Sequence, residues 1–134
     1  EMKNTEPQSN PRVIIIQKLY GNHLSKNSEI TYPKHRYKKF IKDVVKGTIE
    51  RKDLIQQLID EKLKNNINDN KTDLLVKIMI MAAIYEFMFM HKTPIKVIIT
   101  EYLKVCDFFA EESQKNFLNA ILDKASKVSR FNNE

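Results

Sequence analysis

The side chains able to do acid–base or metal chemistry are few and scattered. The histidines are His23, His35 and His91, and none has a partner at a useful spacing. Each reads as a surface or loop residue rather than a base or a ligand. The acidic pairs Asp60-Glu61 and Glu111-Glu112 are adjacent in sequence. Neighbours on a helix diverge by about 100°, so they do not face each other as an acid and a base. Cys106 is the one cysteine, too little for a disulfide framework or a Cys-rich metal site. There is no Gly-rich phosphate loop, no GxSxG elbow and no zinc spacing. The expectation is a protein that is not an enzyme and holds no cofactor or metal.

Cations and aromatics are more informative. Lys34, Lys38, Lys42 and Lys46 recur every fourth residue and would form a stripe down one helix face. Lys115 and Asn116 immediately precede Phe117. An exposed aromatic beside a cation and an amide can stack a single-stranded base. The same Phe117 also falls on the apolar series Phe117, Ile121, Ala125, which would put it in a core. Asn119 could bond a base edge or cap a loop.

The elements that must position these residues are helices. Gly 2 and Pro 4 leave few breakers in 134 residues. Asn10 followed by Pro11 is a helix start, and Gly21-Asn22 a stop. A second helix is expected from about Pro33 to Lys46, ended or bent at Gly47. A third is expected over about Arg51 to Asn65. The fourth, about Thr72 to Met90 with Asn70 or Thr72 as cap, is apolar nearly all round and should lie at the centre. Thr93-Pro94 opens a fifth, and the sixth begins near Glu112-Ser113. Leu74 to Met90 is short for a membrane span and carries Lys77 and Glu86. Residues 1–10 read as a flexible arm and 11–130 as one helical domain.

The bulk numbers agree with a folded domain. Hydrophobic residues are 42% and charged residues 30%, a globular balance. The net charge is +6, mostly lysine, because arginine occurs only at Arg12, Arg36, Arg51 and Arg130. A basic balance attracts RNA or DNA. It also fits a solvated surface, since Lys, Asn and Ile are all abundant. A polar start and a single cysteine suit a reducing cytoplasm.

Four segments then depart from a generic helical pattern. Thr93-Pro94-Ile95-Lys96-Val97-Ile98-Ile99-Thr100-Glu101 resembles the NusB family signature of Pro, Lys-Val and Ile-Asn-Glu opening a helix. Phe117-Leu118-Asn119-Ala120-Ile121-Leu122-Asp123-Lys124-Ala125 is similar to that family's Phe-Val-Asn-Gly-Val-Leu-Asp-Lys-Ala. Ala83-Ile84-Tyr85-Glu86 matches its Ala-x-Tyr-Glu, and Gln17-Lys18-Leu19-Tyr20 its Gln-Ala-Leu-Tyr. The resemblance spans roughly residues 10–130 and is strongest from 83 to 125.

What the resemblance implies is an all-α fold of about six to seven helices in two packed small bundles. It implies a transcription antitermination factor that binds boxA RNA as a heterodimer with NusE, also a small-subunit ribosomal protein. That complex joins NusA and NusG on RNA polymerase and supports ribosomal RNA transcription. Some members self-associate, so the resemblance leaves both monomer and homodimer open for the free protein. The expected RNA contacts are Arg12, Lys18, Lys115, Asn116, Phe117 and Asn119, with the lysine stripe as an auxiliary. Tyr20, Lys77 and Tyr85 are expected near the partner, and Glu101 in a structural pair or cap.

Departures qualify this expectation. The family's arginine-rich start is here Gln8-Ser9-Asn10-Pro11-Arg12, with Arg12 alone remaining. Val76 and Met81 stand where an acid and an arginine are common, and Thr100 where Asn is usual. Fewer phosphate contacts mean weaker binding and a flatter salt slope. One alternative is therefore a protein-interaction module of the same fold that has lost most RNA binding. Another is a detached relative of the NusB-like domain preceding some ribosomal RNA methyltransferases, for whose methyl-donor fold 134 residues are expected to leave no room.

Overall fold

The computed structural model describes residues 7–67 and 72–130. A 3-10 turn, Pro7–Ser9, leads into six α-helices: α1 (Pro11–Leu24), α2 (Lys38–Glu50), α3 (Lys52–Lys62), α4 (Leu74–Phe89), α5 (Ile95–Phe109) and α6 (Glu112–Ser129). Of the expected arm, residues 1–6 lie outside the described residues.

Local chemistry explains most boundaries. The Asn10 side chain accepts hydrogen bonds from the Arg12 and Val13 amides, and Pro11 occupies the first helical position. The cap of α4 is Asp73, whose carboxylate accepts the Leu75 amide at 2.8 Å. Thr72 was expected in that role; Asn70, the other expected cap, lies outside the described residues. Helix α5 starts one residue late, at Ile95, with Pro94 as its cap residue.

Two glycines behave differently from expectation. Gly21 does not stop α1, which runs on to Leu24, and a Cβ there would meet nothing within 4 Å. Gly47 does not end α2 either; the helix passes through it to Glu50. Its role is spacing, because the Tyr85 ring of α4 occupies the volume a Cβ would need. Neither glycine has a positive φ, so packing alone distinguishes them.

Helix α2 also starts later than Pro33. The Tyr37 amide donates to His35 Nδ1 at 2.9 Å, and the Lys38 amide to the His35 carbonyl at 3.1 Å. These bonds make 35–38 a turn that launches the helix. Since Nδ1 accepts, Nε2 carries the hydrogen and donates to the Gln8 carbonyl at 3.2 Å. His35 thus fastens the lead-in to the N-terminal turn.

Helix α4 touches all five other helices. Helices α1, α2 and α3 gather on one side of it and α5 and α6 on the other, with α1 also reaching α5. Val76, Met79, Ile80, Ala83, Ile84 and Phe87 of α4 are fully buried. A helix covered on every side needs apolar residues on every side, which is what its composition supplies. Among the described residues no helix is long and apolar enough to cross a membrane.

The glycines make a paired prediction. Gly21→Ala should raise stability by about 0.4–1 kcal/mol, because the position is helical and open. Gly47→Ala should cost about 1–3 kcal/mol through overpacking against Tyr85. In a Tyr85→Ala background that cost should vanish. Urea midpoints of the four variants check this; a Gly47→Ala penalty that persists without the Tyr85 ring would refute the packing role.

Candidate nucleic-acid interface

The cation nearest the start of α1 faces inward. Arg12 is 8% exposed and Glu86 is 0% exposed. The guanidinium donates Nη2 to Glu86 Oε1 at 2.6 Å and Nε to Oε2 at 2.9 Å, a bidentate pair. Tyr102 Oη donates to the same Oε2 at 2.5 Å. The guanidinium carbon also lies 4.8 Å from the Phe40 ring centre and 5.6 Å from that of Tyr102. Burial alone would lower the Arg12 pKa, but the Glu86 hydrogen bonds and charge outweigh it and leave it raised. For Tyr102, burial and then the Glu86 charge push the phenol well above its ordinary range. Arg12 was expected to hold the RNA backbone. Its position speaks against that expectation, because Nε and Nη2 are committed to the buried Glu86 carboxylate.

A second arginine closes the C-terminal end of α4, next to that pair. Arg130 donates to the carbonyls of Glu86, Phe87, Met90 and Thr93 at 3.1, 2.8, 3.0 and 2.7 Å. Carbonyls at a helix C-terminus lack intrahelical partners, and a buried cation there also suits the helix dipole. Sequence reading passed over this residue, because nothing local marks Arg130 as a cap for a helix whose end lies 40 residues earlier.

The first turns of α6 present a mixed surface. Asn116 and Asn119 are exposed, one turn apart on one face. Phe117 beside them is half-buried and packs on the core, leaving part of its ring open. Lys115 is tied to Asp107 of α5 at 3.0 Å, and that bond raises its pKa. Two amides, one aromatic edge and one cation thus sit together on a rigid helix. Lys18 opens elsewhere, into a groove of about 250 Å³ with Gln17, Asn22 and the 28–31 segment.

The lysine stripe survives in shortened form. Lys38, Lys42 and Lys46 lie along α2, all exposed, and line one groove. Lys34 is exposed too, but it precedes α2 and does not line that groove.

The expected partner residues lie on two helices in contact, Tyr20 on α1 and Lys77 and Tyr85 on α4. Tyr20 and Lys77 are half-buried. Tyr85 is wedged between Gly47 and Phe89, its ring centre 5.1 Å from that of Phe89. Between α1, α2 and α4 lies an apolar groove of about 300 Å³, walled by Leu19, Ile49, Ile78 and Met81. Thr48 lines it, and its buried hydroxyl has no hydrogen-bond partner among the described residues. Met81 supplies part of the apolar wall. Val76 is fully buried, and Glu101 pairs with Lys104 at 3.3 Å. Among the described residues no cluster of His, Cys, Asp or Glu could hold a metal ion. Burial pushes the Cys106 thiol up, which suits a packing role over a reactive one.

The class is therefore an all-helical protein built on a central apolar helix, with a polar, partly aromatic surface at the start of its last helix. T. maritima NusB shares this fold: TM-score 0.75, covering 91% of this chain and 92% of that one, at 23% identity. The profile of the NusB family matches residues 9–127, and the chain belongs to that family. Proteins called transcription antitermination protein NusB are similar in sequence. That of Rickettsia typhi is 29% identical, over 87% of this chain and 88% of its own length. That of Rickettsia bellii is 34% identical over 67% of this chain, and that of Rhodopseudomonas palustris 28% over 68%. In these last two the chain spans only 58% and 52% of the relative's length.

The interior triad yields a stability prediction. Arg12→Leu should cost about 3–5 kcal/mol by leaving Glu86 buried and unpaired. Tyr102→Phe should cost about 1.5–3 kcal/mol at neutral pH, the worth of a bond to a charged acceptor. Below about pH 10 the folded and unfolded phenols are both protonated and the full contribution is present. Above it the unfolded phenol ionises first, so stability is lost as pH rises towards the folded pKa. Tyr102→Phe should lose less stability than wild type between pH 10 and 11. Equal alkaline losses in urea titrations would contradict this.

Proposed function

We propose that this chain is a cytoplasmic, non-enzymatic transcription antitermination factor that binds boxA-type single-stranded RNA together with NusE. The observation that carries the reading is family membership across residues 9–127, combined with the exposed Asn116, Phe117 and Asn119 at the start of α6. Phe117 offers a base its open ring edge, and the two amides offer hydrogen bonds to base edges. A site on a helix is more rigid than one on a loop, which suits recognition of a defined sequence. Lys115 and Lys18 supply phosphate contacts. The partner docks on the flank carrying Tyr20, Lys77 and Tyr85, where the apolar groove beside Thr48 gives it a place to bury side chains. The same face serves a homodimer when NusE is absent. The complex then joins NusA and NusG on RNA polymerase and aids transcription of ribosomal RNA.

One observation favours a second reading, an interaction module with little RNA binding of its own. Arg12, the single arginine left at the start of α1, is buried. Under that reading NusE binds and RNA does not.

Titration of fluorescent boxA RNA with the protein, with and without NusE and at two salt concentrations, separates the two. Binding should be salt-dependent and strengthened by NusE. Phe117→Leu keeps the apolar contact but removes the stacking surface, and should weaken RNA binding by about 1–3 kcal/mol. Asn119→Ala should weaken it without lowering the melting temperature. RNA affinity unchanged by both substitutions would move the RNA site away from α6; NusE binding without any RNA binding would establish the second reading.

A further inference from the structure

Across from the α2 lysines runs the segment Ser28–Tyr32, and together they enclose a groove of about 550 Å³. One wall is Lys38, Lys42 and Lys46, each exposed. The other carries Tyr32, whose ring centre lies 6.0 Å from the Lys42 ammonium. Glu29 is the single carboxylate among the lining residues. None of the three lysines is held in an ion pair among the described residues, whereas their neighbour Lys39 is paired with Asp43 at 2.9 Å. Three cations without an ion pair on one side of a groove repel one another, and one carboxylate, Glu29, is too little to balance them. An anion with several evenly spaced charges would.

We propose that this groove is a second, sequence-tolerant site for the backbone of single-stranded RNA, with Lys38, Lys42 and Lys46 on successive phosphates and Tyr32 as a stacking surface for a base. The lysines advance along α2 by about 6 Å per step. That matches a strand of nucleic acid, whose charges repeat at a regular interval of similar size. An acidic peptide would satisfy the cations, but it makes no use of an aromatic ring in the wall. Lysine acts on phosphate as a flexible point charge, so this site adds affinity and salt dependence and reads no sequence. The proposal rests on the reading that α6 binds boxA. The groove then takes RNA flanking that element.

The test uses the full chain and two fluorescent oligonucleotides, one confined to the boxA element and one extended on both sides with unstructured uridines. Wild type should bind the extended RNA more tightly. The combined substitution Lys38→Gln, Lys42→Gln and Lys46→Gln should weaken the extended RNA by about tenfold or more. It should also flatten its salt slope by roughly 0.7 for each phosphate no longer neutralised. Binding of the short RNA should stay within twofold. Tyr32→Leu should weaken only the extended RNA, and Lys39→Gln should change neither. Equal affinities and slopes for wild type and the triple variant on extended RNA overturn the proposal. So does a loss that Lys39→Gln reproduces, or polyglutamate competing as well as polyuridine. If short boxA RNA fails to bind while extended RNA binds through the lysines, the α6 reading falls and the groove stands. If neither RNA binds, both fall.

Discussion

Glu86 is a carboxylate buried completely in the one helix that every other helix touches. An isolated charge there would be prohibitive, so the fold has to bring a cation and a hydroxyl to it. Arg12 comes from the first turn of α1 and Tyr102 from the middle of α5. One ion pair with its hydrogen bonds therefore sets how three helices meet, across the divide between the two helix groups. Arg130 repeats the device at the C-terminal end of α4, where four carbonyls fix the end of α6. Buried charge is poor glue compared with hydrocarbon, but it is selective, because its partners must arrive in one geometry.

That commitment has a consequence for the surface. Arg12 is used for the interior, and Arg130 likewise. Lysine therefore makes up most of the positive charge left for a polyanion. Lysine binds phosphate without the planar fork of arginine, through long-range attraction and little geometry. Under the proposed function, recognition of a particular sequence falls to the amides and ring edge at the start of α6, which divides affinity and specificity between different helices. That proposal also gives the partner protein weight, since a protein whose RNA contacts are mostly screened point charges gains from a second binder on the same strand.

Helix count, the central position of α4 and the polar cap at Asn10 were all legible from periodicity and local chemistry. So was the absence of catalytic motifs, and the four family segments led to the family that the profile match identifies. Both glycines were misread as stops because glycine is a terminator only where the chain needs a left-handed residue or an open end. Inside a helix its meaning depends on what lies opposite. Nothing local distinguishes Gly21, facing open space, from Gly47, facing Tyr85. Helix α2 was begun too early because the His35 ring accepts the Tyr37 amide and closes a turn ahead of it, and that ring is fastened by the Gln8 carbonyl, far away in sequence.

The scattered cations and the aromatic beside them, from which chemistry was first sought, show the same boundary. Their types and spacing set the expectation of contact with RNA rather than of acid–base or metal chemistry, since those depend on which groups exist and how often they recur. Which cations are free was decided only by tertiary structure. Arg12 looked like the remnant of an RNA arm and is buried, while of the four lysines expected as an auxiliary stripe Lys38, Lys42 and Lys46 line a groove with Tyr32 and Lys34 does not. The reason is physical: periodicity states which face of its own helix a residue occupies, whereas burial and pairing depend on what another helix places opposite it.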